Sequence, residues 1–378
     1  MKLILSFQSL IKILRESIYP FLIIILRIFT SFLLILVVSK NNKIEYNLFS
    51  IDYSFIGIFL VFGNFYIQKS AHSKGGKSNT FWLLTMLIIT SCILIIRNNH
   101  YYILPISLNL VSQYFLSLDY SEKNERYQKN NLILLSLQLL FLLFSFRYWF
   151  SYKFLLFFYL SLPLFVTFRI DLLSKVSFDA RNLKSDLHMI FWILAQSFCF
   201  PVAFYFFRVY LGNRNFSLIE FDLLQKFLLV PSLLFGSILS SRLYILDLSE
   251  DIFNFTYKPF RIFLFLTFLY FILGIMVVLY FSIYTHSIFK TFSIPIILFF
   301  VVIELLKFVY GHLANFFYFL GSSVILLILE IAIAIVWVFS THLDIEINIV
   351  LINIIIIYII SILIVNYYRK FKIKLTNL

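Results

Sequence analysis

The stretch PFLIIILRIFTSFLLILVVSKNNKIEYNLFSIDYSFIGIFLVFGNFYIQ, residues 20–68, decides the fold. It opens as an apolar run interrupted once, by Arg27. It then passes through a polar exit from Lys40 to Ser50 and returns as a second apolar run. Each run is long enough for a helix to cross the roughly 30 Å hydrocarbon core of a bilayer. The exit contains Ile44-Glu45-Tyr46-Asn47-Leu48. A near copy, Ile219-Glu220-Phe221-Asp222-Leu223, recurs 175 residues later, again between apolar runs. A duplicated helix pair in a chain of 378 residues predicts two similar halves.

Composition points the same way. The chain is 62% hydrophobic and 13% charged, with a mean hydropathy of +0.96. A water-soluble domain, with about 25% charged residues, has no such excess of apolar surface to hide. The runs are apolar all round, whereas a transmembrane β-barrel needs alternating strands of about ten residues. The net charge of +13 fits basic cytoplasmic loops better than nucleic-acid binding. Cys92 and Cys199 lie inside apolar runs, which predicts neither a disulfide nor a metal site. Residues 1–17 read as an amphipathic lead-in, since Arg15 and Glu16 interrupt the run and no small-residue cleavage site follows.

Twelve spans are expected, near 20–39, 51–67, 81–96, 103–118, 132–148, 153–168, 188–207, 223–240, 261–285, 293–310, 316–339 and 348–366. Pro105, Pro163, Pro201, Pro231 and Pro295 fall inside them; each kinks a helix and frees a carbonyl that a neighbour or a wet cavity must satisfy. With the N-terminus inside, 21 of the 31 basic residues fall in cytoplasmic segments and 8, Arg208 among them, in outer loops. That bias places both termini in the cytoplasm. Spans one and seven then run in the same direction, so the repeat is parallel. The expected fold is an all-α integral membrane protein of about 12 transmembrane helices, in two parallel-repeat six-helix lobes, 1–186 and 187–378, around a central cavity.

Arg27 lies well inside span one, where a charge costs at least about 2.5–3.5 kcal/mol. It is a candidate contact for an anionic substrate, against a structural ion pair or snorkelling. Glu304 and Lys307, three apart on span ten, are neighbours on one helix face; they read as a self-neutralising pair or as substrate contacts. Glu330, alone in span eleven, must be protonated or paired and is a candidate proton or cation coupling site, as is Asp52 at the start of span two. Lys226 and Asp222 share a face at the outer end of span eight, where Lys226 is a further candidate substrate contact. Asn109, Gln113, Gln138 and Gln196 read as polar links between helices. Ser73-Lys74-Gly75-Gly76-Lys77-Ser78 lacks the first glycine and the strand–loop–helix context of a phosphate-binding loop. No histidines stand at metal-ligand spacing, no Asp-rich diphosphate site is present, and no nucleophile–base arrangement appears. No catalytic residue, cofactor or nucleic-acid partner is therefore expected.

Arg27 and the exit Glu45-Tyr46-Asn47-Leu48-Phe49 resemble the polysaccharide flippases of the multidrug/oligosaccharidyl-lipid/polysaccharide exporter superfamily. In that family an arginine in span one is followed by a loop of the form Glu-Tyr/Phe-Gly-Leu-Phe; Asn47 stands here at the glycine. The family repeats the loop before span eight, where Glu220-Phe221-Asp222-Leu223 stands. Phe62-Gly63-Asn64 through Lys69-Ser70-Ala71 resembles the end of its second span and its basic inner loop. The resemblance implies alternating access between two lobes in a bacterial cytoplasmic membrane. It implies translocation of a lipid-diphosphate-linked oligosaccharide for surface polysaccharide, such as O-antigen, with Arg27 drawing in the diphosphate. The partners implied are the polyprenyl-diphosphate-linked glycan, membrane lipids and a polysaccharide polymerase. Two other readings stay open: a membrane-embedded polysaccharide polymerase or ligase, which usually carries one large outer loop, and a small-molecule exporter on the same fold.

Overall fold

The structure, a computed structural model, describes residues 22–40, 43–72, 80–122, 124–148, 150–167, 199–229, 268–270, 272–276, 292–319, 323–343 and 345–376. Among these there is helix and turn and no strand. In chain order the helices are α1 (Leu22–Ser39), α2 (Lys43–His72), α3 (Thr80–Ile96), α4 (Ile103–Glu122), α5 (Asn124–Arg147) and α6 (Tyr152–Thr167). Then come α7 (199–213), α8 (218–229), a short piece α9 (272–276), α10 (Ile294–Phe319), α11 (Ser323–His342) and α12 (Ile347–Thr376). Among the described residues, six stretches are long and apolar enough to cross a bilayer: Leu22–Ser39, Ile44–Val61, Gln128–Arg147, Ile294–Gly311, Val324–His342 and Ile347–Val365. Leu83–Ile96 and Tyr152–Thr167 are shorter apolar helices. The protein is thus a multi-pass, membrane-embedded helical protein. Spans 188–207, 223–240 and 261–285 fall only partly within the described residues, and Gln196 and the expected boundary at 186/187 lie outside them.

The face pattern of α12 shows why lipid is the solvent. Val350, Ile354, Tyr358, Ser361 and Val365, spaced three and four apart, are buried. The opposite face presents Ile352, Ile356, Ile359, Ile360 and Leu363 outward. A helix with an apolar outer face is stable where hydrocarbon, not water, lies against it.

Two connections close alike. Asn98 and Asn215 take φ of 56° and 59°, the left-handed conformation that asparagine tolerates better than most residues. At α3 the amide of Asn99 reaches the Leu94 carbonyl and that of Asn98 the Ile95 carbonyl; at α7 Phe216 reaches Leu211 and Asn215 reaches Gly212. Both are the paired bonds that satisfy the last carbonyls of a helix. Ser217 then caps α8 by accepting the Glu220 amide at 3.4 Å. Ser151 caps α6 by accepting the Phe154 amide at 3.4 Å, so α5 and α6 are separate helices despite their short connection.

The exit motif is helix rather than loop. Glu45 is the third residue of α2, and Glu220 the third of α8. Tyr46, Phe49 and Ser50 are buried, a spacing of three and four that packs one face, while Glu45 sits in the first turn, where a carboxylate complements the helix dipole.

The described residues form two compact units, 25–209 and, with 22–24, 210–378. In the first, α4 packs against α2, α3, α5 and α6, burying Ile106, Leu110 and Tyr114 at i, i+4 and i+8. Pro163 inside α6 has no N–H for the Tyr159 carbonyl one turn earlier. Gln138 of α5 donates to that carbonyl at 3.3 Å, and Asn109 of α4 donates to the next, Leu160, at 3.2 Å. Both amides therefore act as links between helices around a proline break. In the second unit α12 packs against α10 and α11. Tyr270 donates to the Leu228 carbonyl at 2.7 Å and stacks on Phe308, with centroids 5.5 Å apart. Gly274 lets α9 approach α10: a β-carbon there would lie 2.7 Å from Val301 Cγ1.

Candidate functional site

Intramembrane charge marks the candidate sites, and each unit holds its own set. In 25–209, Arg27 lies six residues into α1, its side chain exposed. Among the described residues its guanidinium makes no hydrogen bond or ion pair. Tyr159 of α6 lies within its electrostatic reach and against Thr30. The Thr30 hydroxyl donates to the Arg27 carbonyl at 3.0 Å.

Asp52 is half-buried on α2. Its Oδ2 accepts the Tyr102 hydroxyl at 2.7 Å and the Tyr152 hydroxyl at 3.1 Å. Those tyrosines stand at the start of α4 and of α6, so one carboxylate oxygen ties three helices together. Tyr102 and Tyr152 are buried. Burial and the Asp52 carboxylate push the Tyr102 phenol, in the turn before α4, above its ordinary range, so it remains a donor. Phe49 extends the cluster, stacking on Tyr53 at 5.6 Å and meeting Tyr152 edge-on at 6.4 Å. No lysine or arginine pairs with Asp52 among the described residues.

Arg208 is the residue that sequence reasoning misplaced. It was expected in an outer loop; it lies inside α7 and is buried. Its guanidinium covers the Phe204 ring at 4.7 Å and donates to Ser54 Oγ of α2 at 2.5 Å. Ser54 in turn donates to the Ser50 carbonyl at 2.7 Å. The signal was present: the apolar run Phe204 to Leu211 continues through Arg208, and the turn comes only at Gly212-Asn213-Arg214-Asn215.

In 210–378, Glu304 and Lys307 form an ion pair of 2.6 Å on α10, with Glu304 buried. The next residue at that spacing, Tyr310, meets Tyr358 of α12 edge-on at 6.0 Å. Glu330 of α11, half-buried, has Tyr310 as a neighbour, and Tyr358 lies within reach of both Glu330 and Glu304. Three of the expected residues, Glu304, Lys307 and Glu330, therefore gather around two tyrosines. Lys226 is half-buried on α8 and Asp222 buried, both with interaction partners. Cys92 and Cys199 are free thiols, and among the described residues no group of three potential ligands could hold a metal ion.

The chemistry on offer is electrostatic: an exposed guanidinium within an apolar helix, a tyrosine-held carboxylate, a buried arginine and a two-carboxylate, one-lysine cluster. No protein-family model, characterised protein or solved structure matches the chain.

Proposed function

We propose that this chain translocates a lipid-diphosphate-linked oligosaccharide across a bacterial cytoplasmic membrane by alternating access, for surface polysaccharide biosynthesis. The observation that carries the reading is Arg27. It is a charge inside an apolar helix, exposed and without an ion-pair partner among the described residues. An unpaired guanidinium at that depth, costing at least about 2.5–3.5 kcal/mol, has a use when its partner arrives with the cargo. A diphosphate suits it, because guanidinium binds phosphate oxygens through two parallel hydrogen bonds. The likeness of the Arg27-to-Phe49 stretch to polysaccharide flippases supplies the cargo class. Glu330 in the second unit and Asp52 in the first are the candidates for ion coupling, and Lys226, Glu304 and Lys307 are the further candidate substrate contacts. Lys307 is already neutralised by Glu304, which leaves Arg27 as the stronger substrate contact.

The test is the fate of the glycan in a strain lacking the protein, complemented by wild type or by Arg27→Ala at matched protein level. Lipid-linked repeat units retained on the cytoplasmic face, and no rescue by Arg27→Ala, are expected. Single unpolymerised units reaching the surface would identify a polymerase instead. An unchanged surface glycan would remove the reading altogether.

A further inference from the structure

One end of the 25–209 unit carries exposed charge of a single sign. Lys40 at the end of α1, Arg97 after α3, Arg147 at the end of α5 and Lys153 at the start of α6 are all exposed. Contacts show that they share an end. Lys40 Nζ donates to the Phe146 carbonyl at 3.0 Å and covers the Phe146 ring at 4.7 Å. Lys153 Nζ lies 5.2 Å from the centroid of the Tyr101 ring. The described carboxylates at this end, Glu45 and Asp52, are not exposed, and Asp52 is engaged by two phenols. Nothing acidic on the described surface of this end therefore competes for the four cations.

Their depth identifies the partner. The cations stand where apolar helices stop, beside a collar of exposed Tyr101, Phe146 and Tyr148 and directly above exposed Ile95, Ile96 and Phe144. Aromatic side chains of this kind mark headgroup level in a membrane. Lys40 spends one ammonium hydrogen on the Phe146 carbonyl and keeps two. With Arg208 inside α7, these four are also the majority of the seven basic residues left on the side that the expected topology leaves sparsely charged. Basic residues there run against the usual bias and call for a local reason.

We propose that this end of the unit binds the headgroup phosphates of anionic phospholipids. The inference stands whatever the cargo is. Each cation at an anionic surface raises local partitioning by about five-fold, so four together produce a selected lipid shell rather than a random one. The test uses the full chain, purified from a membrane and re-equilibrated in micelles with equal phosphatidylglycerol and phosphatidylcholine. Retained lipids are counted by native mass spectrometry. An enrichment of phosphatidylglycerol of about ten-fold or more is expected, reduced by added salt, since surface charge is screened over about 10 Å at 0.1 M. The variant Lys40→Gln/Arg97→Gln/Arg147→Gln/Lys153→Gln should elute as wild type and lose most of the enrichment. A second variant, Arg126→Gln/Lys129→Gln in the first two turns of α5, at the opposite end of that helix from Arg147, should keep it. No enrichment in wild type, or equal loss in both variants, would overturn the proposal. So would displacement of phosphatidylglycerol by an equimolar polyprenyl diphosphate, which would assign the surface to cargo.

Discussion

Removing the Tyr102 hydroxyl tests whether the Asp52 cluster holds the first unit together. The bond is short, 2.7 Å, its acceptor is a carboxylate, and the Tyr102 ring is 3% exposed. Hydrogen bonds to charged groups are worth about 1.5–3 kcal/mol, so Tyr102→Phe should cost about 2 kcal/mol. Tyr152→Phe, breaking a bond of 3.1 Å, should cost about 1 kcal/mol. Asp52→Asn keeps a carbonyl oxygen that still accepts both phenols, and loses only the charge assistance. In a double-mutant cycle Asp52 and Tyr102 should couple by about 1–2 kcal/mol, and Asp52 and Tyr152 by less. The assay is reversible unfolding of the full chain in mixed micelles titrated with denaturing detergent. A Tyr102→Phe cost below about 0.5 kcal/mol, or additivity with Asp52→Asn to within about 0.3–0.5 kcal/mol, would refute the reasoning.

Gly274→Ala should destabilise by about 1–3 kcal/mol, because the added methyl meets the rigid Val301 side chain at 2.7 Å; Val301→Ala should restore part of that loss in a thermal melt. Gly57→Ala, with nothing within 4 Å of the new methyl, should be neutral or stabilise by about 0.5–1 kcal/mol. Lys307→Met strands the buried Glu304 and should cost about 3–5 kcal/mol, whereas Glu304→Gln/Lys307→Met should recover most of it; equal melting of the single and double variants would show that the pair does not exist. Gln138→Leu should cost about 1–2 kcal/mol in the native sequence. It should cost almost nothing in a Pro163→Ala background, where the backbone N–H restored at position 163 takes over the Tyr159 carbonyl; unchanged cost there would remove the proline argument.

The apolar runs made most helices legible, since about 20 unbroken apolar residues have few alternatives to a membrane helix. Gln138 and Asn109 were legible as polar links between helices, but that both meet α6 beside Pro163 came only from the structure. Four features were not legible. The Glu45-to-Phe49 stretch looked like a loop because its polar residues interrupt hydropathy, yet its buried positions follow helical spacing. Arg208 looked like a loop residue because charge usually ends a span; the ring of Phe204 and the Ser54 hydroxyl make burial tolerable. The partners of Asp52 stand 50 and 100 residues away, among 24 tyrosines, and no local pattern distinguishes them. Likewise Glu330 read as solitary, because Tyr310 and Tyr358 lie on other helices.

Arg208 also dictates an order of events during synthesis. Its contact on α2, Ser54, is made 154 residues earlier. At about 5–20 residues per second, that separation gives the ribosome roughly 8–30 s in which α2 is already in the bilayer. When α7 leaves the translocon, its arginine brings the Phe204 ring with it on the same helix and can trade the channel's water for the Ser54 hydroxyl that is waiting on α2. Were the later half made alone, the same helix would emerge with that hydroxyl missing. The early hairpin thus supplies in advance one of the groups that the buried arginine of a later helix needs.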